Sequence, residues 1–371
     1  MTRTNSLPLE LVDMILGWAR LEPEKVYNRT LVACSYVCKA WQARAQALIF
    51  RNIPISLTRH QLSLLGGALS QCPELGQHIR SFGVEINHRP DRSHDDLHKG
   101  PSRRFRQVFG YFIAILTHSP NLVRLTIDVD GEFDSADISK LASINLRHIH
   151  TLNWEGQPTS SVLYSLLTLW PSIRYLYINN LQLDPPPEQR CPASLHSLYV
   201  CHELPESFMT WLVPTDDERP LRDLYHFMHP LSFRALEGVL LHASTLLVLG
   251  VDDFPPQNLL DALTALNELA FCKLPSVPVQ LPRSVWRVWF HNRERLRRHW
   301  DDKDSPESLD KMGHLITGLM DLPKLTLVRA TYHNEKDNFA ALEKFCEEKK
   351  VKFDVAPSGQ WRCVWPWDKL I

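Results

Sequence analysis

Histidines four residues apart can offer two ligands from one helix face, and His94 and His98, with Asp95 between them, have that spacing. They stand in a stretch containing Pro90, Ser93, Gly100 and Pro101, with no cysteine cluster nearby, so they read as a solvated polar loop. Cys34 and Cys38 repeat the spacing but fall on an apolar stripe, where thiols serve as small core hydrophobes. No GxSxG elbow and no HExxH pair occurs, and Gly66-Gly67 lies inside an apolar helical pattern rather than a phosphate loop. The 17 histidines are scattered without a paired carboxylate motif, so no acid–base dyad is nominated. The residue types therefore predict no catalytic site, no metal, no cofactor and no enzyme.

Composition narrows the partners. The 371 residues are 44% hydrophobic and 22% charged, ordinary for a globular chain large enough for more than one structural unit. A formal net charge of −1 supplies no electrostatic footing for nucleic acid or an anionic membrane. Eight cysteines show no CxxC pair and no disulfide rhythm, which predicts free thiols in a reducing compartment. No leader-like or spanning apolar run stands out, so cytoplasm or nucleus is expected by elimination.

What the sequence does contain is repetition. A unit reading apolar-x-x-apolar-x-apolar returns as Ile79-Phe82-Val84, Leu122-Leu125-Ile127, Ile149-Leu152-Trp154, Ile173-Leu176-Ile178 and Leu195-Leu198-Val200. It continues at Leu249, Leu269, Val288 and Val328, with a blurred copy at Leu221-Leu224. The gaps between inner centres, from 125 to 288, run from 19 to 27 residues, the period at which each unit offers one short strand. Helical patterns lie between, the strongest at Phe105, Val108, Phe109, Phe112, Ile113 and Leu116. Others include Val162, Leu163, Leu166 and Leu167, and Leu309, Met312, Ile316 and Leu319. Strand, turn and helix repeated in this way predict a mixed α/β solenoid over residues 54–357. Residues 88–106 read as a mobile polar insert, and the Trp361–Trp367 stretch within 358–371 as a C-terminal cap.

Alternation along each strand sends the intervening side chains away from the core. Those at Tyr175, Tyr177, Tyr199, Tyr225, Arg287 and Trp289 are the candidates for a target-binding face, with the tyrosines gathered in three adjacent repeats. If that patch serves binding, replacing Tyr177 and Tyr199 by alanine leaves stability nearly unchanged. The alternative is that the rings only pack on one another across strands. Tyr225 is the weakest member, because a one-residue slip of the blurred repeat would turn it inward.

The first fifty residues have another pattern. Leu7-Pro8 opens a helix with Glu10 in its first turn, and Leu11, Val12, Ile15, Leu16 and Ala19 follow at helical spacing. Cys34, Val37, Cys38 and Trp41 make a second stripe at i, i+3, i+4, i+7, extended by Ala45 and Leu48. Three helices this short bury too little surface to stand alone.

This order of residues resembles the F-box, from Leu7-Pro8 through Val37-Cys38-Lys39 and Trp41 to Leu48-Ile49-Phe50. The following units are similar to the irregular leucine-rich repeats attached to F-boxes, especially in fungal proteins. They lack the Asn or Cys ladder of regular repeats, since Asp130, Gln157, Leu181, Glu203, Phe254, Leu274 and Arg293 stand there. The resemblance implies a three-helix F-box over 1–53 that docks a Skp-type adaptor and, through it, a cullin. Leu7, Pro8, Leu11, Ile15, Leu16, Val37, Cys38 and Trp41 would carry that contact. The implied function is substrate recognition in a ubiquitin ligase, with an unidentified target protein on the repeat face. A repeat scaffold acting outside any ligase is the alternative.

Overall fold

A computed structural model describes residues 8–19, 24–54, 57–87, 103–130, 133–156, 160–179, 185–201, 206–212, 220–226, 239–291, 306–332 and 339–357. Leu7, the His94–His98 group, most of the 88–106 insert and the 358–371 tail lie outside these residues. The chain forms two compact units, Met1–Pro158 and Thr159–Ile371.

The first unit opens with helices α1 (Leu9–Ala19), α2 (Glu24–Ser35) and α3 (Lys39–Arg51). Much of the charged stretch from Leu21 to Thr30 is thus helical. The apolar spacing from Cys34 to Trp41 does not lie on one helix. Helix α2 ends at Ser35, Tyr36 and Val37 form a turn, and Cys38 takes an extended conformation (φ −164°, ψ 171°) ahead of α3. Cys38 is accordingly exposed rather than a core residue.

From α3 the chain runs directly into β1 (Asn52–Ile53), followed by α4 (Arg59–Gln71), a 3-10 turn at Pro73–His78 and β2 (Ser81–Asn87). A reciprocal cap starts α4: the Thr58 hydroxyl accepts from the Gln61 amide, and the Gln61 side chain accepts from the Thr58 amide at 2.8 Å. Next come α5 (Arg103–Thr117), β3 (Arg124–Asp130), α6 (Ser135–Ala142) and β4 (Thr151–Gly156). Strands β1 to β4 pair in sequence order, all parallel.

Phe82, Leu125 and Leu152 stand side by side in this ladder, as do Val84, Ile127 and Trp154, and all six are buried. Phe105, Val108, Phe109, Phe112 and Leu116 bury the inner face of α5, and Phe112 stacks on Phe82 at 6.0 Å. That layer joins the helical stripe to the strand repeat.

The second unit repeats the arrangement: α7 (Ser160–Leu169), β5 (Tyr175–Asn179), β6 (Ser197–Val200), α8 (Glu206–Leu212), β7 (Asp223–His226) and β8 (Val248–Val251). It continues with α9 (Gln257–Ala262), β9 (Glu268–Phe271), β10 (Arg287–His291), α10 (Pro306–Met320), β11 (Leu327–Tyr332), α11 (Ala340–Lys349) and β12 (Lys352–Pro357). Strands β5 to β12 are again parallel and in sequence order. Leu176, Leu198, Leu224, Leu249, Leu269, Val288 and Val328 align in one buried row.

Each unit is thus mixed α/β, with its strands stacked in chain order, an arrangement compatible with a solenoid. The blurred repeat forms β7 without a slip, because Tyr225 pairs with Tyr199. On α10 the buried positions are Leu315, Gly318 and Leu319, while Met312 and Ile316 are half-buried, so the stripe is rotated from the expected one. Strand β12 was not anticipated.

Candidate interaction surfaces

Helix α1 is apolar on two sides. Val12 and Leu16 point inward and form a buried cluster with Leu31, against which Cys34, Trp41, Leu48 and Ile49 pack. An ion pair between Asp13 and Arg44 ties α1 to α3. On the other side Leu11, Met14, Ile15 and Trp18 follow i, i+3, i+4, i+7 and remain exposed, Trp18 by 64%. Val32, Tyr36 and Val37 are exposed as well, Tyr36 by 84%.

Of the residues expected at an adaptor contact, Pro8, Leu11, Ile15, Val37 and Cys38 are on the surface. Leu16 is fully buried and so offers no contact area itself, whereas Trp41 is half-buried, packing against the cluster of Val12, Leu16 and Leu31. Met14, Trp18, Val32 and Tyr36 are exposed apolar residues that the sequence pattern did not single out. Met14 and Trp18 continue the spacing of Leu11 and Ile15 along α1, which is the signal they carry in the sequence.

The outward strand face of the first unit is polar. Gly83, Thr126 and Asn153 form one tier, where the Asn153 side-chain amide donates to the Thr126 hydroxyl at 3.2 Å. Glu85, Asp128 and Glu155 form the next. Burial, and then the neighbouring Asp128 charge, push the Glu155 carboxyl above its ordinary value of 4.5.

A carboxyl raised in the folded state binds protons more tightly there, so it weakens the fold above its folded value and is relieved as pH falls. Glu155→Gln is expected to melt higher than the parent at neutral pH. The difference should close below pH 4.5, the ordinary value. Melting curves across that range check it; an unchanged or lower midpoint at neutral pH contradicts it.

The outward face of the second unit is aromatic. Tyr177, Tyr199 and Tyr225 occupy one tier, Tyr177 stacked on Tyr199 at 4.8 Å and 16°, and Tyr199 tilted against Tyr225 at 6.0 Å. The row continues through Gly250 and Ala270 to Trp289. Tyr199, Cys201, Ala270 and Cys272 are buried as a second apolar cluster, with Tyr177, Tyr225 and Trp289 packed against it. The Cys201 thiol donates to the Tyr177 hydroxyl at 3.7 Å.

Three tyrosines therefore neighbour one another, but Tyr199 is only 5% exposed. It offers little contact area. Tyr175 lies one tier away, aligned with Ser197 and 6.4 Å from the His196 ring.

Arg287 stacks over Trp286 at 4.2 Å and pairs with Glu268 at 3.2 Å. Arg329 lies 4.8 Å over Trp289 and pairs with Asp354. Strand alternation also sets Asp223 and Arg329 outward, but the sequence reading had not picked out Glu268 and Asp354, because a strand pattern does not say which charges meet across repeats.

Among the described residues no group of three or more His, Cys, Asp and Glu is placed to hold a metal. None of the described cysteines is in a disulfide; burial pushes the thiol of Cys346 up to about 11. No helix among these residues is long and apolar enough to cross a membrane. No family model matches the chain, and no curated protein matches its sequence.

Proposed function

We propose that the chain is the substrate-recognition subunit of a Skp–cullin–F-box-type ubiquitin ligase, with an F-box in its first helices and irregular leucine-rich repeats after them. The observation that carries this reading is the exposed apolar surface of Leu11, Met14, Ile15, Trp18, Val32, Tyr36 and Val37 on a segment whose own core is already filled by Val12, Leu16 and Leu31. Exposed apolar surface at this density marks a place for a partner. The F-box resemblance supplies its identity, a Skp-type adaptor. Such a subunit performs no chemistry. It holds a target where the target's lysines reach a high effective concentration beside the charged ubiquitin carrier.

The test is co-purification with a Skp-type adaptor and a cullin. Ile15→Ala with Val37→Ala should reduce adaptor capture at least about tenfold, roughly the 1.4 kcal/mol of one lost contact. Both side chains are exposed, so melting should change little. Truncation at residue 53 is a poorer test, because it strips β1 from β2. Unchanged adaptor capture by the double variant overturns the reading. Adaptor capture without a cullin would favour a scaffold acting outside a ligase.

A further inference from the structure

The outward tier next to the aromatic row runs Ser197, Asp223, Val248, Glu268 and Arg287 in register across β6 to β10. Neighbouring strands lie about 4.8 Å apart, which separates the Asp223 and Glu268 backbones by about 10 Å with Val248 between them. Each carboxylate has its partner on the outer flank. The Ser197 hydroxyl donates to Asp223 at 2.5 Å from β6, and Arg287 donates to Glu268 at 3.2 Å from β10. Over β8, between them, the outward residue is half-buried Val248, and the next outward residue of that strand is Gly250.

Charge is also distributed unevenly. The outward positions of β5 to β9 include Asp223 and Glu268 and no lysine or arginine, whereas β10 to β12 bear Arg287, Arg329 and Lys352 beside Asp354. Burial raises the Asp223 carboxyl beyond what Ser197, His196 and Arg222 offset, and the Glu268 carboxyl beyond what Arg287 and Arg329 offset, with the Asp223 charge raising Glu268 further. A cation arriving over β8 would relieve both.

We propose that the target docks a lysine or arginine over Val248, its methylene stem on that side chain and its cation shared between Asp223 and Glu268. This deepens the functional reading above and rests on it, since it takes the outward face of the second unit as the target's seat. An apolar floor flanked by two carboxylates fits a side chain that is apolar along its stem and charged at its tip. A bare divalent ion fits poorly, because it needs several oxygens converging within about 2.6 Å.

The experiment selects a phage-displayed random peptide library on the full-length chain. The recovered peptides should share a lysine or arginine beside apolar residues. Val248→Lys, which supplies the cation from within, should weaken them at least about tenfold, the effect of one contact, without lowering the melting temperature. Asp223→Asn with Glu268→Gln should do the same, and decides alone if Val248→Lys fails to fold. Peptides without a basic residue, or a selection yielding none that these variants lose, overturns the proposal. If Tyr177→Ala and Tyr225→Ala still weaken the peptides, the face remains the seat and only the basic residue falls; if they do not, the reading of the face falls too.

Discussion

Replacing Tyr199 by alanine is expected to destabilise the second unit by about 3 kcal/mol, lowering its melting temperature by roughly 6–12 °C. The sequence left two readings of this outward-facing ring, a binding patch whose loss would leave the melting temperature nearly unchanged or rings that pack on one another across strands. Its direction was right, but its burial was not foreseen. Tyr199 stacks between Tyr177 and Tyr225 and is 5% exposed, so truncation leaves a void that two rings and Cys201 cannot close without moving. Tyr199→Phe keeps the stack and should cost about 1 kcal/mol at most, the net worth of a hydroxyl contact. Tyr177 and Tyr225 are only partly buried, so alanine there should cost less than at Tyr199. Thermal melts of the four single variants separate the cases. A Tyr199→Ala chain that melts with its parent would mean the row is not a second core.

That row shows where sequence reading stopped. The inward positions were legible because each repeat places an aliphatic residue at its centre, and the parallel register sets these in one buried line from Leu176 to Val328 whatever the gap between them. The outward tier was legible in direction but not in depth. Gly250 and Ala270 are small where their neighbours are aromatic, so the large rings of Tyr225 and Trp289 pack against the cluster instead of projecting into solvent.

At the N-terminus, spacing alone joined Cys34 to Trp41 across a turn, since a count of residues does not register the extended backbone of Cys38. The same blindness put buried Leu16 among the residues expected at the adaptor contact. Both faces of α1 carry apolar residues, and only the packing of α2 and α3 decides which face is covered. Strand β12 escaped because Lys350 stands where the repeat unit places its first apolar residue, although Phe353 and Val355 keep the other two; Phe353 aligns with Val328.

A methyl group at Gly76 should cost the first unit about 3 kcal/mol or more, the upper end of overpacking, because the neighbour it meets is backbone. A Cβ built there stands 1.9 Å from the His118 carbonyl oxygen and 2.8 Å from its carbon. Neither side can easily retreat. The Asn121 side chain donates to the Gln77 carbonyl at 3.0 Å, and Arg80 donates to the Asn121 carbonyl at 3.0 Å, lacing the Pro73–His78 turn to the end of α5. The Arg80 amide in turn donates to the Arg51 carbonyl at 2.9 Å, so the strain reaches the junction of α3 with β1. Gly67→Ala is the internal control. Gly67 is an exposed position of α4 with nothing within 4 Å of its added Cβ, and alanine there should stabilise by about 0.5–1 kcal/mol through helix propensity. Urea titrations of the two variants should therefore move in opposite directions. Gly76→Ala with the parent's midpoint would refute the close approach of the turn to α5.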